Sequence, residues 1–404
     1  MALAWPFGPQ AWAAVPLPSL SFYVAICSAV AARLAGFVTM LGLPVVLLAL
    51  LVPRGFCRYA CPTGLLLEFA AKLRPSAPSR WLSWPMIGRW CALLTLGGAL
   101  AGYPVFLWLD PLAIFNGFFS AWRQPMTVAA VCAAAALPLL LILELIVPRA
   151  WCARLCPLGA TQELLALRGP TAGQPGPRSP RHPLLPMMDK GMTLIQCASQ
   201  PEVSRGVLAR RGFIALCVGA AGGLAVRATG GSSPALRPPG AVDEARFTGV
   251  CVRCGSCMRV CPTRILQPDL GGHGLASLLT PVARFDDGYC REDCHRCNQV
   301  CPTGAIARLS LAEKRRRVIG PAKVDLDVCL LANGQECTAC IRACPYQALT
   351  VVSDGFESQP RLDLTRCTGC GACEAICPTR PARAIRVVPG AGELSKTGTV
   401  CKAS

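Results

Sequence analysis

The chain has 404 residues, a formal net charge of +18 and an apolar share of 53%, which exceeds the share usual for soluble domains. Sixteen of its 22 acidic residues follow residue 227, so we expect the two halves to lie in different solvents, the first partly in lipid. The positive charge is also typical of nucleic-acid-binding proteins, but no groove-reading motif accompanies it. Much of the excess flanks apolar segments, as in cytoplasmic loops of membrane proteins. We therefore exclude nucleic acid as a partner and expect membrane lipid.

Three apolar segments have the length that a membrane-spanning helix requires. They cover about residues 34–52, 91–109 and 126–147. Each is near the ~20 residues that cross a bilayer core. Two interpretations stay open for the apolar stretch 11–32: an interfacial segment, or half of a hairpin broken at Arg33. We predict an α-helical membrane domain over residues 1–165.

A C-x3-C-P motif follows the first of these spans and recurs after the third. The two motifs contain Cys57, Cys61, Cys152 and Cys156. A shift of 95 residues superposes both motifs and their flanking Pro-Arg pairs, which indicates an internal repeat. Loops with several basic residues follow both motifs, whereas Arg123 is the only basic residue of the loop 110–125. The positive-inside rule therefore predicts that both cysteine pairs are cytoplasmic.

These paired cysteines are candidate redox or metal groups. Cysteines at i and i+4 share one helix face, so each motif is a candidate thiol pair. If the two repeats pack together, all four thiolates are candidates for one metal centre. Exposed cysteine pairs without such a role would invite oxidation.

The middle of the chain contains a linker and a signal-like segment. Residues 166–208 are rich in proline and glycine, which predicts a linker without a packed core. Arg210 and Arg211 then precede Gly-Phe and an apolar run of about fifteen residues, shorter than a full span. We interpret residues 209–227 as a twin-arginine export signal or as a short anchor with a basic flank. The export interpretation predicts a bacterial inner-membrane protein with a periplasmic C-terminal part.

Cysteine is the strongest chemical signal, with 26 residues mostly at tight, repeated spacings. Sixteen of them form four runs, each ending in Cys-Pro: Cys251, Cys254, Cys257 and Cys261; Cys290, Cys294, Cys297 and Cys301; Cys329, Cys337, Cys340 and Cys344; and Cys367, Cys370, Cys373 and Cys377. The first and fourth runs have the C-x2-C-x2-C-x3-C-P spacing of 4Fe-4S proteins, and the other two have wider gaps. Such close spacing is not that of a disulfide scaffold. We predict sixteen iron ligands and four 4Fe-4S clusters.

The segments around the runs predict an α+β ferredoxin-like domain over residues 241–395, built of two dicluster units. Short extended stretches, 323–327 and 361–365, lead into the third and fourth runs. We expect three close cysteines to surround one cluster on a loop. The fourth should begin a short helix after proline, such as 345–349, and reach the neighbouring cluster.

The motifs carry a family resemblance. Arg210-Arg211-Gly-Phe, Leu236-Arg-Pro-Pro-Gly-Ala241 and Cys251-Val-Arg-Cys-Gly-Ser-Cys257 resemble exported ferredoxins of the NapG/MauM type. The two C-x3-C-P motifs and the Asp110-Pro-Leu-Ala loop are similar to their membrane partners of the NapH/MauN type, without the cytoplasmic clusters that usually end the latter. The chain thus resembles a fusion of the two partners.

The resemblance also implies how the four runs share clusters. In related four-cluster subunits the runs pair in a nested way, first with fourth and second with third. Cys377 would then complete the first run and Cys261 the fourth, while Cys344 would complete the second run and Cys301 the third.

The resemblance implies an electron-transfer component of a quinol dehydrogenase. Quinol would be the diffusible donor, and a periplasmic oxidoreductase such as nitrate reductase the partner. The alternative is a redox maturation or assembly factor for a periplasmic or membrane metalloenzyme. With cysteine pairs inside and ferredoxin outside, a hydrocarbon core ~30 Å thick separates the two redox groups, so we expect quinol or a partner subunit to carry electrons between them.

Overall fold

The fold is given by a computed structural model. It describes residues 17–33, 42–51, 54–73, 85–122, 127–147, 150–165, 205–229, 233–354, 357–390 and 392–393. Most of the predicted linker 166–208 lies outside the described residues, so that boundary stays a prediction.

The described N-terminal part is helical. Its helices are α1 (Phe22–Ala32), α2 (Leu43–Leu51), α3 (Gly55–Tyr59), α4 (Pro62–Lys72), α5 (Ile87–Leu100), α6 (Pro111–Ala121), α7 (Val128–Ala134), α8 (Ala136–Ile146), α9 (Pro157–Leu165) and α10 (Arg205–Thr229). Short 3-10 turns cover Leu17–Leu20 and Leu107–Leu109, and a π-type turn covers Trp151–Leu155.

Local sequence signals explain where key helices begin and end. The Ser21 side chain caps α1, and Arg33 ends it in the left-handed region at φ 52°. The choice between an interfacial segment and half of a hairpin stays open. Asp110 caps α6 and Pro111 occupies its first turn, as expected for helix starts.

The predicted spans are shorter in the structure than in the sequence. Helices α2 and α5 have nine and fourteen residues, and fourteen residues rise only about 21 Å against a ~30 Å hydrocarbon core. Within the described ranges, only Arg210–Ala228 is a single helix long and apolar enough to cross a membrane; α7 and α8, bent by 41°, are a second candidate if counted together. Length and composition alone are weak support for a span.

The apolar run after Arg211 lies within a longer helix. Helix α10 has 25 residues, begins at Arg205 before the run and ends at Thr229 after it, and its stretch Arg210–Ala228 is the candidate span. It runs beside α5, and glycines permit the contact: a Cβ on Gly97 would lie 2.1 Å from the Leu216 carbonyl oxygen, and one on Gly219 would lie 2.2 Å from that of Leu94. The two helices therefore approach backbone to backbone.

The C-terminal part contains short helices and antiparallel strand pairs. The helices are α11 (Glu244–Val250), α12 (Ser256–Val260), α13 (Arg296–Gln299), α14 (Leu311–Arg316), α15 (Ala339–Arg342) and α16 (Ala372–Ile376). The strands are β1 (Leu266–Pro268), β2 (Pro281–Ala283), β3 (Arg317–Val318), β4 (Ala322–Val324), β5 (Leu349–Asp354), β6 (Glu357–Leu362), β7 (Ile385–Val387) and β8 (Gly392–Glu393). Antiparallel pairs form between β1 and β2, β3 and β8, β4 and β7, and β5 and β6.

These elements form two units with separate cores. The first unit shares one hydrophobic core with the N-terminal helices, and this core includes Phe247 together with Phe22 and Leu112. The second unit is built around Leu349 and Ile385. The first ferredoxin unit is therefore packed against the N-terminal part, and the second has a core of its own.

One local prediction was wrong: no helix follows Cys344-Pro345. Residues 345–348 form a turn that leads into β5. The third residue after the fourth cysteine is left-handed in three of the runs, at Arg264, Gly304 and Gln347. A right-handed helix cannot continue through such a residue. The short helices instead come before the fourth cysteine of each run.

Candidate functional site

The sixteen cysteines of the four runs lie in four groups of four thiols, here called cages I to IV. Cage I is Cys251, Cys254, Cys257 and Cys301; cage II is Cys290, Cys294, Cys297 and Cys261; cage III is Cys367, Cys370, Cys373 and Cys344; cage IV is Cys329, Cys337, Cys340 and Cys377. The thiols of cages I, III and IV each line one cavity. In cage II, burial raises the pKa of Cys297, and the neighbouring charges of Cys290, Cys261 and Cys294 raise it further.

The nested pairing that the resemblance implied is therefore wrong. The first run pairs with the second, and the third with the fourth. The physical reason is the division of the core, because the first two runs pack into the core shared with the N-terminal helices. The ligands of the other two runs lie around the second core. Cys377, for example, lies with Cys340 and not with the first run.

The cages fit 4Fe-4S clusters by their chemistry. Each offers four thiols, the ligand set of such a cluster. Backbone N–H groups also donate to cluster-facing sulfurs: Ile306 N to Cys301 Sγ at 3.4 Å and Ala348 N to Cys344 Sγ at 3.3 Å. Among the described residues, no group of three or more His, Cys, Asp or Glu is placed to hold a single metal ion. The donor sets thus suit a polynuclear cluster better than one ion.

Thiol electrostatics differ among the cages. Burial raises the pKa of Cys254 to about 12 and also raises the pKa of Cys373, so the positive irons of a cluster would be needed to hold these thiols ionised. At Cys377, burial again opposes ionisation, but hydrogen bonds from Thr379 and from backbone N–H groups outweigh it and lower the pKa. Protein donors therefore stabilise the Cys377 thiolate of cage IV.

The four cages follow one another in space. Cys297 of cage II lies within electrostatic range of Cys257 in cage I. Cys290 N of cage II donates to Cys370 O of cage III at 2.8 Å. Cys340 of cage IV lies within electrostatic range of Cys373 in cage III. The order along the molecule is therefore I, II, III, IV.

Cage I lies against helix α6 of the N-terminal part. Asn116 Nδ2 donates to Cys254 O at 2.6 Å and to Ser256 Oγ at 2.9 Å. Ser120 Oγ donates to the same carbonyl at 3.3 Å. Gly255 adopts φ +70°, and a Cβ there would lie 2.6 Å from the Ser120 Cβ. This buried contact joins the first cage to the N-terminal helices.

The four C-x3-C-P cysteines also come together, and we call them the quartet. A Cβ on Gly159 of the second motif would lie 3.8 Å from Cys57 Sγ of the first, and Arg54 beside the first motif donates to Cys152 O at 2.9 Å. The thiols of Cys61, Cys152 and Cys156 also lie within electrostatic range of Cys57. The sequence left two possibilities open, separate pairs or one centre. The structure brings both repeats to the same place.

The quartet is closer to cage I than expected. Thr63 Oγ1, two residues after Cys61, donates to Pro111 O at 2.8 Å. Pro111 is the first residue of α6, and Asn116 of the same helix holds cage I. The expected separation across a ~30 Å core is therefore wrong for these groups, because α6 and its preceding loop insert among the short helices. Cytoplasmic cysteine pairs and a periplasmic ferredoxin domain therefore cannot both hold, and the side of the membrane that the quartet and cage I share stays a prediction.

Sequence reasoning missed the residues that make this junction. Asn116 and Ser120 are polar residues within the apolar stretch 111–121 and are 3% and 2% exposed. A buried polar side chain needs a hydrogen-bond partner, so the amide of Asn116 in an apolar stretch indicated that such a partner exists. The sequence did not indicate which part of the chain provides it.

Two family models match the chain. One, described as a 4Fe-4S dicluster domain, matches residues 250–305 and 335–380. Another, described as a 4Fe-4S binding domain, matches residues 33–83 and 128–172. The first covers parts of both ferredoxin units, and the second covers both C-x3-C-P motifs.

Several curated proteins are similar to the C-terminal half. The ferredoxin-type protein NapG of Escherichia coli is 36% identical over 196 residues, which cover 46% of this chain and 83% of NapG. The methylamine utilization ferredoxin-type protein MauM of Methylorubrum extorquens is 37% identical over 207 residues, 48% of this chain and 92% of MauM. MauM of Methylobacillus flagellatus is 37% identical over 168 residues, which cover 38% of this chain and 68% of that MauM. No solved structure matches the chain.

Proposed function

The chain belongs to the NapG/MauM family of ferredoxin-type iron–sulfur proteins, and from this premise we propose that it carries electrons from membrane quinol to a periplasmic oxidoreductase such as nitrate reductase. The observation that carries the proposal is the unbroken order of cages I to IV, which begins on helix α6 of the N-terminal part. A line of redox sites that starts at a membrane-like domain suits transfer out of the quinone pool.

In this proposal the sixteen thiols of cages I to IV hold four 4Fe-4S clusters. A bound 4Fe-4S cluster takes up and releases one electron at a time. The chain keeps neighbouring sites close through backbone contacts, such as that between Cys290 and Cys370. It also surrounds the sites with apolar residues that exclude water.

Residues 1–165 act in this proposal as a membrane domain of the NapH/MauN type. Large apolar side chains cover the surface of α2, α8 and α10, where Leu51, Leu139 and Phe213 are 71%, 61% and 67% exposed. Many exposed large apolar side chains on one part of a protein are unfavourable in water and suit lipid. Quinol dissolved in the same lipid would give up two electrons and two protons on oxidation.

We further propose that the ferredoxin units reach the periplasm by the twin-arginine route. Arg210 and Arg211 lie exposed near the start of α10, and the helix behind them is apolar. An export-dependent reporter fused after Ser404 should be active and a cytoplasm-only reporter silent. Changing Arg210→Lys together with Arg211→Lys should abolish the export signal, whereas Arg227→Lys, at the other end of α10, is the matched control. An active cytoplasm-only reporter on the unaltered chain would place the clusters inside and contradict the proposal.

A deletion strain tests the electron-supply function. In this strain the quinol-driven activity of one periplasmic reductase should fall at least about tenfold. The activity of the same reductase with an artificial viologen donor should stay unchanged. Loss of both activities would show that the reductase lacks its own cofactor, and would favour a maturation factor. Unchanged quinol-driven reduction in every periplasmic pathway would contradict both functions.

A further inference from the structure

We propose that the quartet Cys57, Cys61, Cys152 and Cys156 holds one iron–sulfur centre shared by the two repeats, and that this centre precedes cage I in the electron route. The binding site stands on the structure itself. The route rests on the proposed function, because it places the site between quinol and cage I.

The two repeats meet around the quartet. A Cβ on Gly159 of the second repeat would lie 3.8 Å from Cys57 Sγ of the first. Arg54, from the first repeat, donates to Cys152 O at 2.9 Å and to Ala153 O at 3.1 Å. The thiols of both motifs therefore face a common space and not separate surfaces.

The second cysteine of each motif accepts a backbone hydrogen bond at the start of a helix, although burial raises the pKa of both thiols. Cys61 precedes α4, and its Sγ accepts from Gly64 N at 3.4 Å. Cys156 precedes α9 and has the same kind of hydrogen bond from Gly159, 95 residues further on. A helix N-terminus favours the negative form of a thiol. The repeat therefore supplies two matched ligands.

A buried amide contacts the quartet. Gln162 is 0% exposed, and its Nε2 lies 3.1 Å from Cys57 Sγ. This amide N–H group donates to the Cys57 sulfur inside the protein, which is the kind of hydrogen bond that stabilises a thiolate ligand.

Two cations lie beside the quartet. Arg54 Nε lies 2.7 Å from Glu163 Oε1, and Arg89 Nη2 lies 3.1 Å from Glu163 Oε2. The buried carboxyl groups of Asp110 and Glu144 also lie within electrostatic range of the thiols. The two guanidinium groups therefore counter part of the negative charge that thiolates and carboxylates bring into this buried site.

The donor set selects the class of centre. Soft thiolates favour zinc, copper(I) or iron–sulfur clusters. A tetrahedral zinc site needs all four sulfurs about 2.3 Å from one ion, and the described residues contain no group placed to hold a single ion. A cluster spreads its ligands more widely. The geometry therefore favours iron–sulfur over zinc.

Helix α6 connects this site to cage I. The buried Asp110 lies within electrostatic reach of Cys61 and Cys156 and caps α6 through Ala113 N at 3.0 Å. Six residues later, about 9 Å along the helix, Asn116 holds the cage I loop. Quinol oxidation releases two electrons and two protons; each electron would pass singly along this route, and the protons would go to water.

The binding site is tested on the full chain, purified anaerobically, by iron and zinc analysis and by electron paramagnetic resonance. The double variant Cys57→Ser with Cys152→Ser should lose about two or four irons per chain and one resonance signal, while the signals of cages I to IV persist. Cys132→Ser with Cys217→Ser, two exposed cysteines of the same part, should lose no iron. Unchanged iron in the first variant, or zinc in the unaltered chain at this site, would overturn the proposal.

The route is tested by reduction of the same proteins with a quinol analogue and with dithionite. In the double variant, dithionite should still reduce cages I to IV, and quinol should reduce them at least about tenfold more slowly. Undiminished quinol reduction in a variant that has lost the extra iron would overturn the route. If quinol fails to reduce the cages even in the unaltered chain, the proposed function fails, whereas the iron analysis still decides the site.

Discussion

A chain that ends at Arg316 is expected to lose about eight irons per molecule relative to the full chain, and to retain cages I and II. Each 4Fe-4S cluster contains four irons, and all ligands of these two cages lie between Cys251 and Cys301. The first ferredoxin unit also keeps its own support, because it shares a core with the N-terminal helices. Iron and sulfide analysis of the anaerobically purified chain measures the loss.

A full-length variant provides the control for this truncation. Cys370→Ser removes one ligand of cage III without removing the second unit, so about four irons should be lost. Under nested pairing, a chain ending at Arg316 would leave both remaining cysteine runs without a fourth ligand, because those ligands would be Cys344 and Cys377. A truncated chain without any cluster, beside a Cys370→Ser chain that keeps three, would contradict neighbour pairing.

Motif spacing predicted the candidate ligands because spacing is a local property. Three cysteines at short intervals can surround one cluster on a single loop, whatever the rest of the fold does. The partner of the fourth cysteine depends on which units share a core, and a sequence does not state this. Cys301 and Cys377 have the same local context, Cys-Pro-Thr, yet they complete cages in different units.

The helical part shows the same division between local and long-range information. Capping residues were predictable from local chemistry, whereas the lengths of the spans were not. An apolar run in the sequence includes residues that form turns, such as Leu107–Leu109 before Asp110. The junction of Thr63, Pro111 and Asn116 depends on packing between segments about 50 and 140 residues apart, beyond any periodicity in the chain.

The second large effect concerns the order of the cages. If electrons enter at cage I, breaking that cage should cut all later cages off from quinol. Cys254→Ser removes a cage I ligand but keeps the carbonyl that Asn116 contacts, so the junction with α6 is preserved. Cys337→Ser is the matched control, because cage IV lies at the other end of the order.

The proposed electron route is tested most directly by the rate at which a quinol analogue reduces the clusters of each full-length variant in lipid vesicles. In Cys254→Ser, cages II to IV should stay oxidised on the time scale on which the unaltered chain is fully reduced, although dithionite reduces them. In Cys337→Ser, cages I to III should be reduced by quinol as fast as in the unaltered chain. Equal quinol reduction of cages II to IV in the Cys254→Ser chain and the unaltered chain would contradict a route that begins at cage I.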